Sequence, residues 1–134
     1  MSQSIEHELL QPGETLWRLA SGEHLLVIET LDTTREADGW LDLWHDAVFV
    51  DAATLEPNGP QLARTATAIA HAQLEELGDD AASALTARLE AGRARMIAAA
   101  QGRLAAAAAL RSLPSTPAGS GTAPLVRAPR TQPP

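Results

Sequence analysis

The chain has 134 residues, no cysteine and a formal net charge of −7, enough for one domain with extensions. The lack of cysteine excludes disulfides, thiolate zinc sites and a cysteine nucleophile. All ten basic residues are arginine, which with the abundant alanine indicates a GC-rich, bacterial genome. The chain has no run of about 18 apolar residues, so no membrane span is predicted. The acidic first residues do not resemble a secretory signal. We therefore expect a cytoplasmic protein.

Charge is divided unevenly along the chain. Residues 1–60 hold twelve acidic side chains against two arginines, a formal charge of −10, whereas the remainder carries +3. One interpretation is a solvated acidic surface that keeps the protein soluble. The other is an acidic head that docks on a basic partner, or on the Arg-bearing tail of another copy.

The first predicted elements are an N-terminal extension and two strands. The extension covers 1–13, where Ile5–Leu9 fits a short helical turn. Strands are predicted over 15–20 and 24–31, because the Ser21-Gly22 pair between them suits a tight hairpin turn.

The stretch 39–51 holds three of the four aromatic side chains, so a core is expected to form there. Its apolar residues fit a helical stripe as well as a strand. The Val48-Phe49-Val50 run and the Asp38-Gly39 turn signal favour a strand over 40–51. The result is a three-stranded antiparallel β-meander over 14–56.

The loop lengths predict a register with Leu26 opposite both Trp17 and His45. Both faces of the sheet are then rich in apolar groups, and one layer of helix can cover only one of them. The first face carries Trp17, Leu19, Leu26, Ile28, Leu41, Leu43, Ala47 and Phe49, with His24 and His45 at its edge. The second carries Leu16, Arg18, Leu25, Val27, Glu29, Leu31, Trp40, Asp42, Trp44 and Asp46.

The predicted helical region, 57–113, packs on this sheet. Asn58-Gly59-Pro60 is typical of a helix start, and Gly78 is typical of a helix end, which predicts a helix over 60–77. A second, Ala-rich helix is expected over 80–112, as an α-hairpin or as part of one long bent helix. The fold class is therefore α+β, with a disordered tail rich in Pro, Ala and Ser over 114–134.

Few residues suggest catalysis or metal binding. There is no G-x-S-x-G motif and no Gly-rich phosphate loop between a strand and a helix. His24 and His45, with Glu23 or Asp46, could bind a transition metal, but two histidines that hydrogen-bond locally at the core edge are the simpler interpretation. No cofactor is predicted. Nucleic-acid binding is disfavoured, because the arginines of the second helix form no clean stripe and the head is acidic.

A contact surface for another protein is predicted on the second sheet face. Trp is enriched in binding hot spots, and large exposed apolar patches mark interfaces. The alternative is that the chain's own helix covers this face. The candidate partner-binding residues are Leu25, Val27, Trp40, Asp42, Trp44 and Asp46.

The function predicted from these patterns is that of a small non-enzymatic accessory or assembly protein that self-associates or binds another protein. An acidic inhibitor or nucleic-acid mimic that occupies a basic surface is the alternative. A metal-dependent enzyme using His24 and His45 ranks third.

Overall fold

A computed structural model describes residues 2–114, and the predicted tail falls outside them apart from Pro114. An antiparallel sheet precedes two helices, so the α+β class is confirmed. The core and the sites described below lie in residues 2–103, while a second unit begins at Leu104. The strands are β1 (Gln3–Ile5), β2 (Glu14–Arg18), β3 (His24–Asp32), β4 (Trp40–Val50), β5 (Pro57–Gln61) and β6 (Thr65–Ala70), and the helices are α1 (His71–Leu77) and α2 (Ala81–Arg111).

The sheet has six strands, not the predicted three. Their order is β1-β2-β3-β4, and both β5 and β6 pair with the far edge of β4. β4 is long enough to serve two partners there, because its 11 residues pair first with β6 and then with β5. The predicted meander is thus the centre of a wider sheet.

The predicted helix over 60–77 is wrong in its first part. Residues 65–70, Thr-Ala-Thr-Ala-Ile-Ala, form β6, and the helix starts only at His71. Alanine favours a helix, but this alternation also suits a strand with one buried face, and pairing with β4 outweighs local propensity. Gly78, at φ 56°, ends α1, as the sequence indicated.

The N-terminal residues form a strand over Gln3–Ile5, and of the helical turn expected over Ile5–Leu9 only a turn at Glu8–Leu9 is found, closed by a 3.2 Å hydrogen bond from the Leu10 N–H to the His7 carbonyl. β1 runs antiparallel to β2, with Ile5 opposite Leu16, and Arg18 donates a hydrogen bond of 2.9 Å to Gln3. An isolated helical turn is costly to nucleate, whereas the edge of β2 offers backbone partners. Strand pairing is therefore preferred here.

The register differs from the prediction at both hairpins. Leu26 lies opposite Leu16 on β2 and opposite Val48 on β4, instead of Trp17 and His45. Each shift is by an odd number of residues, which moves a strand's side chains to the other face. As a result, Leu25 and Val27 share a face with Phe49.

One face is covered by the helices, and we call it the helix-covered face. Leu41, Leu43 and Ile69 form a buried cluster there, against which Leu74, Leu85 and Leu89 pack. Further along α2, Met96 and Ala100 are fully buried. The large side chains of this Ala-rich helix therefore lie where the helix packs on the sheet.

The opposite face, here called the open face, has its own small core. Leu16, Leu26 and Val50 are buried on it, and loop residues Leu10 and Leu55 pack over them. Loops therefore complete one end of the open face, near the β2–β3 hairpin. The other end, along the first half of β4, carries the candidate binding site.

Candidate binding site on the open sheet face

The first half of β4 presents a row of alternating aromatic and acidic side chains on the open face. Trp40, Asp42, Trp44 and Asp46 form this row, called the Trp–Asp row below, because alternate residues of a strand point to one side. The opposite residues of β6 on this face are all alanine: Ala70, Ala68 and Ala66. Their small side chains leave room beside the indoles for longer side chains from the loops.

Arg35, from the loop before β4, pairs with the first half of the row. Its guanidinium donates two hydrogen bonds to Asp42, of 2.9 Å from Nε and 2.6 Å from Nη2. The same guanidinium carbon lies 5.8 Å from the centre of the Trp40 ring, within cation–π range. The pairing lowers the pKa of Asp42 and raises that of Arg35, chiefly through these hydrogen bonds. Both groups are therefore charged at neutral pH.

Arg64, from the turn between β5 and β6, repeats the arrangement one step along the row. Its Nε lies 2.9 Å from Asp46, and its guanidinium carbon is 4.3 Å from the centre of the Trp44 ring. Each indole thus has one guanidinium near it, and each guanidinium is neutralised by one carboxylate. Two loops of the chain converge on one strand to build this surface.

Solvent still reaches the row. Trp40 is 40% exposed and Trp44 is half-buried. Asp32 adds one negative charge beside Asp42, and hydrogen bonds from Thr34 lower its pKa. Asp38 also acts on Arg35, so two arginines against four aspartates leave the surface with a formal charge of −2, in a chain of −7. The surface is aromatic and nearly neutral.

Leu25 and Val27 do not belong to this surface, contrary to the sequence-based prediction. Both are 0% exposed and lie on the helix-covered face, because the hairpin registers shift β3 relative to β4. The prediction brought together six residues, of which the structure gathers four. It also missed Arg35 and Arg64, whose proximity depends on how the loops return to β4.

The predicted histidine pair is not formed. His45 is opposite Glu29 and fully buried on the helix-covered face, whereas His24 pairs with Val50 and lies on the open face. Within residues 2–114, no three histidine or carboxylate side chains come together as metal ligands would. The geometry therefore separates the two residues proposed for the metal.

A buried polar network occupies the place where His45 lies. His45 Nε2 and the Glu29 carboxylate are 3.1 Å apart, and since an ionised carboxylate only accepts, His45 donates. Arg93 of α2 donates two hydrogen bonds to Glu29, of 2.6 and 2.9 Å. These hydrogen bonds are the main cause of the raised pKa of Arg93. Sequence reasoning missed this network, although a glutamate inside the apolar run 24–31 was a signal of it.

Comparisons with known proteins give no assignment. No family model matches the chain, no curated protein is similar to it, and no solved structure matches its fold. No described helix is long and apolar enough to cross a membrane.

Proposed function

We propose that the protein is a non-enzymatic binding protein that self-associates through the Trp–Asp row. The observation that carries this proposal is the position of both indoles on the sheet face opposite the helices, with Trp40 still 40% exposed. Tryptophan and arginine are the residue types most enriched in binding hot spots, and this surface combines two of each.

The distribution of charge favours this surface as the place where two copies would meet. Two chains of net charge −7 repel one another, so they meet at lowest cost where each is nearly neutral. The row and its flanking charges sum to −2, whereas residues 1–60 as a whole sum to −10. This surface is therefore better suited to contact between two copies than a strongly acidic region of the same chain.

The row is also compatible with two-fold symmetry. In a two-fold dimer the same patch faces itself, so it needs groups that complement one another within one patch. An indole and a guanidinium complement one another, and each half of the row holds both. Antiparallel stacking of two rows would bring Arg35 of one copy over Trp44 of the other.

Light scattering on eluting protein tests this proposal. The wild type is expected to show a mass that rises from monomer to dimer with concentration. Trp40→Ala/Trp44→Ala is expected to remain a monomer, because it loses the aromatic surface while keeping both ion pairs. Circular dichroism confirms that the variant is folded.

Leu77→Ala is the matched control, because Leu77 is 41% exposed on α1, away from the row. It removes a comparable exposed apolar group and should dimerise like the wild type. A wild type that stays monomeric up to about 1 mM, a range that covers weak contacts, would contradict self-association. Dimerisation retained by the double Trp variant would move the interface elsewhere.

A further inference from the structure

A second candidate site lies on the helix-covered face, independent of the proposed self-association. A cavity of about 350 Å³ opens between α2 and the β1–β2 edge of the sheet. Trp17 forms one wall, and its Nε1 donates a 2.8 Å hydrogen bond to Thr15, which fixes the ring. The remaining lining residues are Ser2, Glu90, Arg93, Ala94, Ile97, Ala98 and Gln101.

The cavity exists because α2 has small residues on this flank. Ala94 and Ala98 face the opening, while the helix directs its larger Met96 toward the sheet centre. Their short side chains leave uncovered the space between the helix backbone and Trp17. Its volume falls at the lower end of the range of about 300–1,000 Å³ for small-molecule pockets.

Two opposite charges line this cavity. Glu90 and Arg93 are three residues apart on α2 and so project from neighbouring positions of the helix surface. Arg93 forms an ion pair with Glu29. Within residues 2–114, no carboxylate oxygen of Glu90 lies within 4.0 Å of a guanidinium nitrogen of Arg93. Glu29, only 8% exposed, holds the guanidinium in place from behind. An anchored cation and a separate anion therefore face one apolar space.

The chemistry of this space selects among ligand types. The three charges Glu29, Arg93 and Glu90 sum to −1, which disfavours a simple anion. A simple cation would satisfy Glu90 but would leave unused the Arg93 N–H donors that do not bond to Glu29. A molecule that carries an ammonium and a carboxylate on the same carbon atom matches both groups.

We propose that the cavity binds a small zwitterion with an apolar side chain, of the class of apolar α-amino acids. The ammonium pairs with Glu90, and the carboxylate accepts hydrogen bonds from Arg93. The apolar side chain packs between Trp17 and Ile97. Charge-assisted hydrogen bonds at both ends orient the ligand, and the apolar walls select its side chain.

Calorimetric titration of the full chain with L-phenylalanine tests this proposal. Saturable binding is expected, and Glu90→Gln should weaken it about tenfold, because it removes one charge-assisted bond. Ala94→Leu should abolish it by filling the cavity. Phenethylamine and 3-phenylpropanoate, which keep one charge each, should bind at least about tenfold more weakly than L-phenylalanine.

Two matched variants control for nonspecific effects. Ala99→Leu adds the same side chain to an exposed site of α2 outside the cavity, and Glu76→Gln removes an exposed charge from α1. Both should bind within about twofold of the wild type. Absence of binding at about 10 mM L-phenylalanine, full binding by Ala94→Leu, or tighter binding of phenethylamine would each overturn the proposal. Dimer mass is unaffected by any of these outcomes, so the two proposals fail separately.

Discussion

Gly92 allows α2 to lie directly on the imidazole of His45. A β-carbon at Gly92 would stand 2.0 Å from Cε1 of that ring and 2.3 Å from Nε2, closer than any contact between non-bonded atoms. The ring in turn is held by Glu29, so it cannot move aside without losing a hydrogen bond. One glycine thus sets how closely the helix approaches the sheet.

We expect Gly92→Ala to destabilise the protein by about 1–3 kcal/mol, as overpacking of a filled core does. Urea unfolding followed by circular dichroism measures the change. Gly102→Ala, on the same helix with no atom within 4 Å of the added carbon, is the control. It should stabilise by about 0.5–1 kcal/mol through helix propensity. Equal effects of the two substitutions would mean that Gly92 does not touch His45.

The Arg35–Asp42 pair predicts how stability responds to acid. Because the pKa of Asp42 is lowered in the folded protein, the unfolded carboxylate takes up a proton first as the pH falls. The stability from the pair is therefore present above about pH 4, the ordinary aspartate value, and is lost as the pH falls through the folded pKa. Asp32 and Asp51, whose pKa values are also lowered, act in the same direction.

Arg35→Gln should accordingly flatten the loss of stability between about pH 5 and about pH 3. Urea midpoints at a series of pH values give the slope. Arg18→Gln is the control, because Arg18 bonds the neutral amide of Gln3, and its acid profile should match the wild type. An unchanged slope in Arg35→Gln would show that Asp42 has its ordinary pKa.

At the scale of elements, α2 is a helix whose packing is concentrated at a few positions. Alanine gives it high helix propensity but little area to bury. Gly92, Met96, Ile97 and Ala100 are its buried residues, all within 2–103. Near the C-terminal end, in the second unit, Leu110 is 70% exposed. The contribution of the helix to stability should therefore depend on position.

We expect Met96→Ala to cost about 2–5 kcal/mol, because it leaves a cavity under the helix. Leu110→Ala removes a side chain of similar size and should change stability by no more than about 0.5 kcal/mol. Denaturant unfolding of both variants provides the comparison. Similar costs at the two positions would contradict the placement of Met96 in the core.

At the scale of the whole molecule, the charge of −7 opposes the proposed self-association. Salt screens this repulsion, with a Debye length of about 10 Å at 0.1 M. Dimer formation is therefore expected to strengthen as sodium chloride rises from about 0.02 M to about 0.3 M. Sedimentation equilibrium across this range measures the dissociation constant.

Association that weakens as salt increases would indicate a contact between opposite charges. If the acidic residues 1–60 recognised a basic partner, complex formation would weaken as salt increased. A dimer that dissociates at higher salt would likewise contradict a contact through a nearly neutral face. Trp40→Ala/Trp44→Ala, measured in parallel, shows whether the salt response belongs to the Trp–Asp row.

Local sequence patterns predicted the elements whose residues strongly prefer one type of secondary structure. The apolar run of β3 and the Val-Phe-Val end of β4 favour strands wherever they are placed, and Gly78 ends α1 because it adopts a positive φ. The Ala-rich composition of α2 predicts a helix because alanine has the highest intrinsic helix propensity. The alternation along β4 also predicted that Trp40, Asp42, Trp44 and Asp46 share one face.

How these elements meet depends on contacts between residues that are far apart in the chain. Residues 65–70 suit a helix or a strand equally, and the free edge of β4 selected the strand. A shift of three residues between β3 and β4 placed Leu25 and Val27 on the helix-covered face, and nothing in the sequence around these two residues predicts that shift. Arg64 and Arg93 reach their carboxylates only through pairing between distant parts of the chain, whereas Arg35 reaches Asp42 across the loop before β4. Local propensity acts over a few residues, and these contacts join residues up to 64 positions apart.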